Sequence, residues 1–182
     1  MLCFANIIDL PKLSTLSIGN ESFGNSTIFQ LSNLDSLQSL NIENNKFNLV
    51  STFQIDGLTS LTSLSIGSNS FTGTKNGFGN DSSKSFHILN CVNLESISIG
   101  EYSFSDYSGE FELSNLPELQ SILIGNMNSN SYNFYSASLF EINSNIIIKV
   151  YNIDMPNLES VILGAYSFHS VLEIVFDGRN IF

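Results

Sequence analysis

The sequence predicts a mostly β chain of stacked, repeating coils with little or no helix. Three observations carry that expectation. A segment of the form LxxLxxLxIGxxSF recurs six times, most cleanly at Leu58–Phe71 and Leu34–Phe47. Each copy alternates apolar and polar residues with period 2, as in Leu64-Ser-Ile66 and, further on, Phe86-His-Ile88, which is the mark of a half-buried strand. No stripe at helical spacing is sustained anywhere. Ser, Asn, Thr, Ile and Phe dominate instead, and they favour strand and turn over helix.

The repeat sets the units. Its central leucines are Leu13, Leu37, Leu61, Leu94, Leu119 and Leu158, spaced by 24, 24, 33, 25 and 39 residues. A base unit near 24 residues therefore carries two insertions, near 72–85 and 126–152. The first, rich in Gly, Ser and Asn, reads as a flexible loop. The second contains Ile146–Val150, which reads either as an extra strand or as a degenerate half-repeat.

Within each unit the first strand segment ends at a glycine in five of six copies (Gly19, Gly67, Gly100, Gly125 and Gly164), with Glu43 the exception. Glycine there is expected to ease a bend. Two phenylalanine columns are expected to run through the core. One takes Phe23, Phe47, Phe71, Phe104, Phe134 and Phe168; the other takes Phe29, Phe53, Phe86, Phe111, Phe140 and Phe176. One coil cannot bury its own apolar side, whereas stacked coils share a continuous core.

Composition narrows the function classes. The 182 residues suffice for a single domain, 1–182, of about six repeats. Six Lys plus Arg against 17 Asp plus Glu give a formal charge of −11. That balance argues against binding nucleic acid or docking on anionic lipid, both of which call for cationic surface. Residues 1–9 have no basic region followed by a long apolar run, so they do not read as a signal peptide. No stretch approaches the ~20 apolar residues of a membrane-spanning helix. Compartment is left unknown. The chain opens inside a repeat and closes shortly after Phe176, with no polar capping unit visible. It is therefore expected to be a fragment of a longer array, with self-association through uncapped repeat ends.

Chemistry is not expected. Cys91 occupies a slot held by Leu34, Leu58 and Leu116 in other copies and reads as a small buried hydrophobe. Cys3 lies too many repeats away to reach it. His87, between Phe86 and Ile88, points to solvent by period 2. His169 falls in a turn, and neither histidine has partners at metal spacing. The recurrent serines occupy repeat positions rather than a catalytic arrangement. The expectation is no enzyme, no cofactor and no metal. Sequons at Asn20, Asn25 and Asn80 make these possible glycosylation positions.

The LxxLxLxxN pattern in residues 34–47 and 58–71 resembles the leucine-rich repeat signature, with Asn45 and Asn69 at its asparagine position. The IGxxSF element at Ile18–Phe23, Ile66–Phe71 and Ile99–Phe104 resembles the IGxxAF piece of BspA-like leucine-rich repeat proteins. The resemblance spans roughly residues 7–176. It implies a right-handed solenoid with a parallel sheet on the concave side and short strands or turns on the convex side. It also implies a cell-surface or extracellular protein that works in adhesion or recognition, through a protein or surface-glycan partner.

The asparagine position reads Glu21, Tyr102, Met127 and Tyr166 in the other copies. In such repeats the variable positions of the first strand face outward on the concave sheet. Here they are mostly Ser and Thr with scattered carboxylates at Glu43, Glu95, Glu101 and Glu159. That scatter speaks against a carbohydrate-active β-helix enzyme. In the last two units Leu123 and Ile162 replace Ser or Asn. The candidate partner-binding residues are therefore Glu43, Glu95, Glu101, Tyr102, Leu123, Met127, Ile162 and Tyr166. The alternative is a structural spacer within a larger surface protein.

Overall fold

A computed structural model describes residues 4–20, 22–73, 81–135, 147–150, 155–169 and 173–176. The described residues form strands and turns, with no helix. β2 (Thr15–Ile18), β4 (Ser39–Ile42), β6 (Ser63–Ile66), β8 (Ser96–Ile99), β10 (Ser121–Ile124) and β12 (Ser160–Leu163) make one parallel sheet in sequence order. The strands between them form a second set. β1 (Phe4–Ile8) pairs with β3 (Ile28–Ser32). β5 (Thr52–Asp56), β7 (Ser85–Leu89) and β9 (Phe111–Ser114) pair in turn, and β11 (Ile147–Val150) pairs with β13 (Glu173–Phe176), all parallel. β3 lies against β5, and β9 against β11.

Register follows the repeat, so like faces like. Leu40 lies opposite Leu64, and Ile42 opposite Ile66; Phe53 lies opposite Phe86, and Ile55 opposite Ile88. A slip of one residue would turn every apolar side chain outward. The inward residues of both strand sets, from Leu40 and Ile42 to Phe53 and Ile55, meet in one core.

Among the described residues the phenylalanine columns form, from Phe23 to Phe168 in the first, with Phe134 in its place, and from Phe29 to Phe111 in the second, although Phe23 at the end of the stack is 46 % exposed rather than in the core. Ring centroids lie 4.9 Å apart for Phe47–Phe71 and Phe71–Phe104, and 5.1 Å for Phe104–Phe134, with rings near parallel. In the second column Phe53, Phe86 and Phe111 stack at 5.0 Å. The columns interlock edge to face, as in Phe86–Phe104 at 78° and Phe111–Phe134 at 81°. In the fifth unit the inserted run forms a strand, in line with one of its two expected readings. Its second-set strand is Ile147–Val150, whose Ile148 and Val150 face Ile174 and Phe176 in register. The strand thus comes from the inserted run, while Phe140–Ile142 lies outside the described residues.

Every member of the first column has positive φ, between 49° and 57°. A bulky residue there costs about 1–3 kcal/mol. Full burial returns about 1.5–3 kcal/mol, and each stacked pair about 0.5–1.5 more, so the strained backbone is sustained wherever the ring is buried. The serine before the phenylalanine explains the rest of the SF motif. Ser70 and Ser103 are fully buried. Ser103 Oγ donates to the Gly67 carbonyl at 2.6 Å and accepts from the Ser70 amide at 3.0 Å. Asn133 does the same job in the fifth unit, donating to the carbonyls of Gly100 and Ser103.

The glycine column has a different cause from the expected bend. Of Gly19, Gly67, Gly100, Gly125 and Gly164, only Gly125 has positive φ, at 77°. Gly67, Gly100 and Gly164 are glycine because one unit's backbone lies on the next, whereas a Cβ at Gly19 would meet nothing closer than Glu43 Oε2 at 4.0 Å. A Cβ at Gly67 would fall 2.6 Å from Asn44 Oδ1, and one at Gly100 would fall 2.6 Å from the Ser68 amide nitrogen. Glu43 is accommodated beside Gly19 of the first unit, where a Cβ would lie 4.0 Å from its Oε2, and the Asn20 amide donates to its carboxylate at 3.1 Å.

The described ends of the first insertion are fixed rather than loose. Thr72 and Lys84 are buried. Lys84 Nζ pairs with Asp106 Oδ2 at 2.8 Å and lies over the Tyr107 ring. The Gly73 amide donates to the same Asp106 oxygen at 3.0 Å.

Gly100→Ala should lower stability by about 1–3 kcal/mol through forced overpacking. Gly24→Ala, with nothing within 4 Å of the added carbon, should leave it unchanged or raise it by about 0.5 kcal/mol. Urea unfolding of the two variants checks the contrast, and equal losses would refute the backbone-contact account.

Candidate functional site

The outer face of the six-stranded sheet is small and polar over most of its length. Ser39, Ser63, Ser96 and Ser121 form one row in register. The predicted carboxylates do not gather on it. Glu95 and Glu159 are exposed just before β8 and β12, while Glu43 and Glu101 sit just after β4 and near the end of β8. They therefore occupy opposite edges of the sheet. Leu123 and Ile162 do come together, paired in register on β10 and β12, and each keeps more than a third of its surface exposed.

The larger feature lies at the turn after the first strand. Two residues before each column phenylalanine from Phe47 onward stands a residue with positive φ: Asn45, Asn69, Tyr102, Tyr132 and Tyr166. Asparagine adopts that conformation readily, tyrosine less so. The three tyrosines stack along the axis. Tyr102 and Tyr132 are 5.7 Å apart, and Tyr132 and Tyr166 are 5.0 Å apart at 8°. A second short row joins them. Tyr135 and His169 each follow a column phenylalanine and stack at 4.9 Å. Tyr132 touches Tyr135, and Tyr166 touches His169. The same two positions are Asn48 and Thr72 in earlier units. One corner of the molecule thus changes from polar to aromatic along its length. Tyr166 is 47 % exposed and the other tyrosines are half-buried.

This places the predicted residues and corrects one of them. Tyr102 and Tyr166 belong to one ridge, with Tyr132 between them. Met127 does not hold the asparagine position; Tyr132 does. The turn at Asn126–Asn130 adds residues ahead of it, so counting forward from the leucines overshoots, whereas counting back from Phe134 finds Tyr132. Met127 sits on the tip of that turn, 69 % exposed. Glu101 braces the turn, its Oε1 accepting from Asn126 Nδ2 at 2.9 Å and from Ser129 Oγ at 2.5 Å. Tyr132 is missed for the same reason, and Tyr135 and His169 because they fall outside the compared strand positions; the signal of all three is their fixed offset from Phe134 and Phe168.

His87 faces away from the core, but it is not a freely solvated side chain. Its Nδ1 lies 3.3 Å from Glu112 Oε2 in the neighbouring strand, and its side chain is 14 % exposed. Asn20 and Asn25 are exposed; Asn80 lies outside the described residues. Among the described residues no three His, Cys, Asp or Glu stand close enough to hold a metal ion.

The buried titratable groups are turned away from chemistry. Desolvation raises the Cys91 thiol from 9.0 to about 11, which holds it as an unreactive thiol at neutral pH. Desolvation, and then the charges of Asp106 and Asp81, push the Tyr107 phenol well above 10.0; its hydroxyl donates to the Val50 carbonyl at 2.8 Å. No family model, no curated protein and no solved structure matches this chain.

Both shifted groups keep a proton in the folded state that the unfolded chain has released. Stability should therefore be full below about pH 9 and fall between pH 9 and 11 as Cys91 titrates in the unfolded chain, with Tyr107 adding to the loss above pH 10. The slope per group should reach about 1.4 kcal/mol per pH unit. Urea midpoints across this range give the test. In Cys91→Ala the loss should begin about one pH unit later, and an unchanged profile would refute the assignment.

Proposed function

We propose that this chain is a non-enzymatic recognition module, a right-handed leucine-rich repeat solenoid of BspA-like type that binds a protein or surface-glycan partner outside the cell. The stacked parallel strands, the phenylalanine columns and the IGxxSF units support the solenoid reading. The observation that carries the recognition reading is the aromatic ridge. Tyrosine is a favoured interface residue because it brings large contact area and a hydroxyl at low entropic cost. At Tyr102, Tyr132 and Tyr166 it stands in a backbone conformation that Asn45 and Asn69 adopt more cheaply. Strain held without full burial is the kind of local conflict found at functional positions. The Leu123–Ile162 pair adds an apolar element on the neighbouring sheet face.

Arrays of extracellular proteins and glycans, probed with the wild-type chain and with Tyr132→Ser/Tyr166→Ser, test this. At least one ligand should bind the wild type and lose about tenfold or more in affinity in the variant, as expected when interface anchors are truncated. Leu123→Ser/Ile162→Ser should cost less. Arrays on which the wild type and the ridge variant score alike would overturn the reading, provided the two unfold at the same urea concentration.

A further inference from the structure

We infer that the aromatic ridge receives a basic segment of a protein partner, rich in arginine and lysine. This rests on the recognition reading above and deepens it by naming the partner's chemistry. Charge is the first argument. The chain carries −11 overall, and the described surface is more one-sided than that figure. Of the cations whose side chains are described, Lys46 and Lys84 are buried and only Lys12 is exposed, in the first unit, far along the stack from Tyr132 and Tyr166. Asp9, Asp35, Glu43, Asp56, Glu95, Glu110, Glu118 and Glu159 are all exposed. A surface built this way draws cationic partners and repels acidic ones, copies of itself included.

The second argument is the shape of the ridge. Tyr132 has a ring on each side, at 5.7 and 5.0 Å, so its faces are taken, and its hydroxyl accepts from Asn130 Nδ2 at 3.4 Å; Tyr166, at the end of the described row, is 47 % exposed. A flat sugar ring would need an open aromatic face to stack on, which the middle of the row does not offer. Long cationic side chains need only apolar edge to lay their methylene stems along, with acceptors within reach of the head group. Both are present. The tyrosine hydroxyl oxygens accept hydrogen bonds. Glu101, next to Tyr102 in the chain, takes both of its hydrogen bonds from the Asn126–Ser129 turn on Oε1, so Oε2 keeps its capacity for a guanidinium or ammonium.

The test titrates fluorescent oligoarginine, oligolysine, neutral Gly/Ser and oligoglutamate peptides of one length, by anisotropy, into the wild type, Tyr132→Ser/Tyr166→Ser, Glu101→Gln and Glu118→Gln. The first variant and Glu101→Gln address the ridge; Glu118→Gln removes a charge on a distant turn. Oligoarginine and oligolysine should bind, weakening as salt is raised, with the neutral and acidic peptides at least about tenfold weaker. The tyrosine variant should lose about tenfold and Glu101→Gln several-fold, while Glu118→Gln changes little. Equal losses in Glu118→Gln and the tyrosine variant would mean diffuse charge attraction and overturn the inference. So would a neutral peptide or a glycan that binds the ridge as tightly as the basic peptides. In that last case the recognition reading stands and only the partner's chemistry is wrong. If no ligand of any class distinguishes the tyrosine variant from the wild type, both fail.

Discussion

The interleaved phenylalanine columns are the contact on which the other elements depend. Parallel strands stack about 4.8 Å apart, and the rings follow that pitch at 4.9–5.1 Å from Phe47 to Phe134. Each ring is packed face to face along its own column and edge to face against the other, as Phe53 is between Phe71 and Phe104. The zipper can close only if each unit lies flat on the previous one. That demand fixes the glycines at 67 and 100, where a Cβ would strike the turn below. It also forces the column phenylalanines into positive φ, a cost that burial outweighs from Phe47 to Phe168, while Phe23 at the end of the stack keeps 46 % of its surface exposed. The buried serines follow in turn, because a backbone folded this tightly leaves carbonyls such as that of Gly67 inside, where an unpaired acceptor costs about 1–3 kcal/mol.

Much of this was legible because periodicity is a collective signal. Strand positions, parallel order and the Phe columns through Phe111 and Phe134 all follow from the repeat, since each copy corrects the noise in the others. The glycines were found but misread, as a contact between units looks the same in sequence as a bend within one. Insertions broke the count. Asn126–Asn130 displaced Tyr132 from the slot assigned to Met127, and Ile147–Val150, readable in sequence as an extra strand or a degenerate half-repeat, pairs as a strand with β13. In both places the true anchor is the downstream position that must enter the core or the sheet, because packing fixes that position and a turn absorbs the extra residues. The ridge itself was half-visible. Tyr102 and Tyr166 stood out by residue type, but their union through Tyr132, and with Tyr135 and His169, is a property of stacking that no single unit displays.

The ridge uses the core's own device on the surface. Tyr102, Tyr132 and Tyr166 stack at nearly the spacing of the phenylalanines, and like them they have positive φ, at 62°, 49° and 62°. The energetic balance is different. A core phenylalanine recovers its strain through complete burial. Tyr166, nearly half exposed, has chiefly its stacking on Tyr132 and its contact with His169, about 0.5–1.5 kcal/mol per pair against a similar or larger backbone cost. The fold would be at least as stable with asparagine there, as Asn45 and Asn69 illustrate. What the tyrosines add is therefore to be sought outside the folding balance.

Charge is sorted by the same geometry. One buried cation closes local structure. Lys84 is held by Asp106 while the Gly73 amide reaches the same oxygen, so the two described ends of the first insertion meet on one buried carboxylate. Removing one partner of such a pair leaves an uncompensated buried charge, at a cost of about 3–5 kcal/mol. This use of lysine for internal closure leaves Lys12 as the one exposed cation among the described side chains. An acidic surface with a tyrosine row at one corner is then a joint consequence of how the units close and where their copies differ. The Asn126–Ser129 turn belongs to the insertion that also displaced Tyr132 from its expected place, and Glu101 of the preceding unit braces it. The irregular part of the repeat thus helps shape a corner where aromatic rings and a carboxylate with spare acceptor capacity lie side by side.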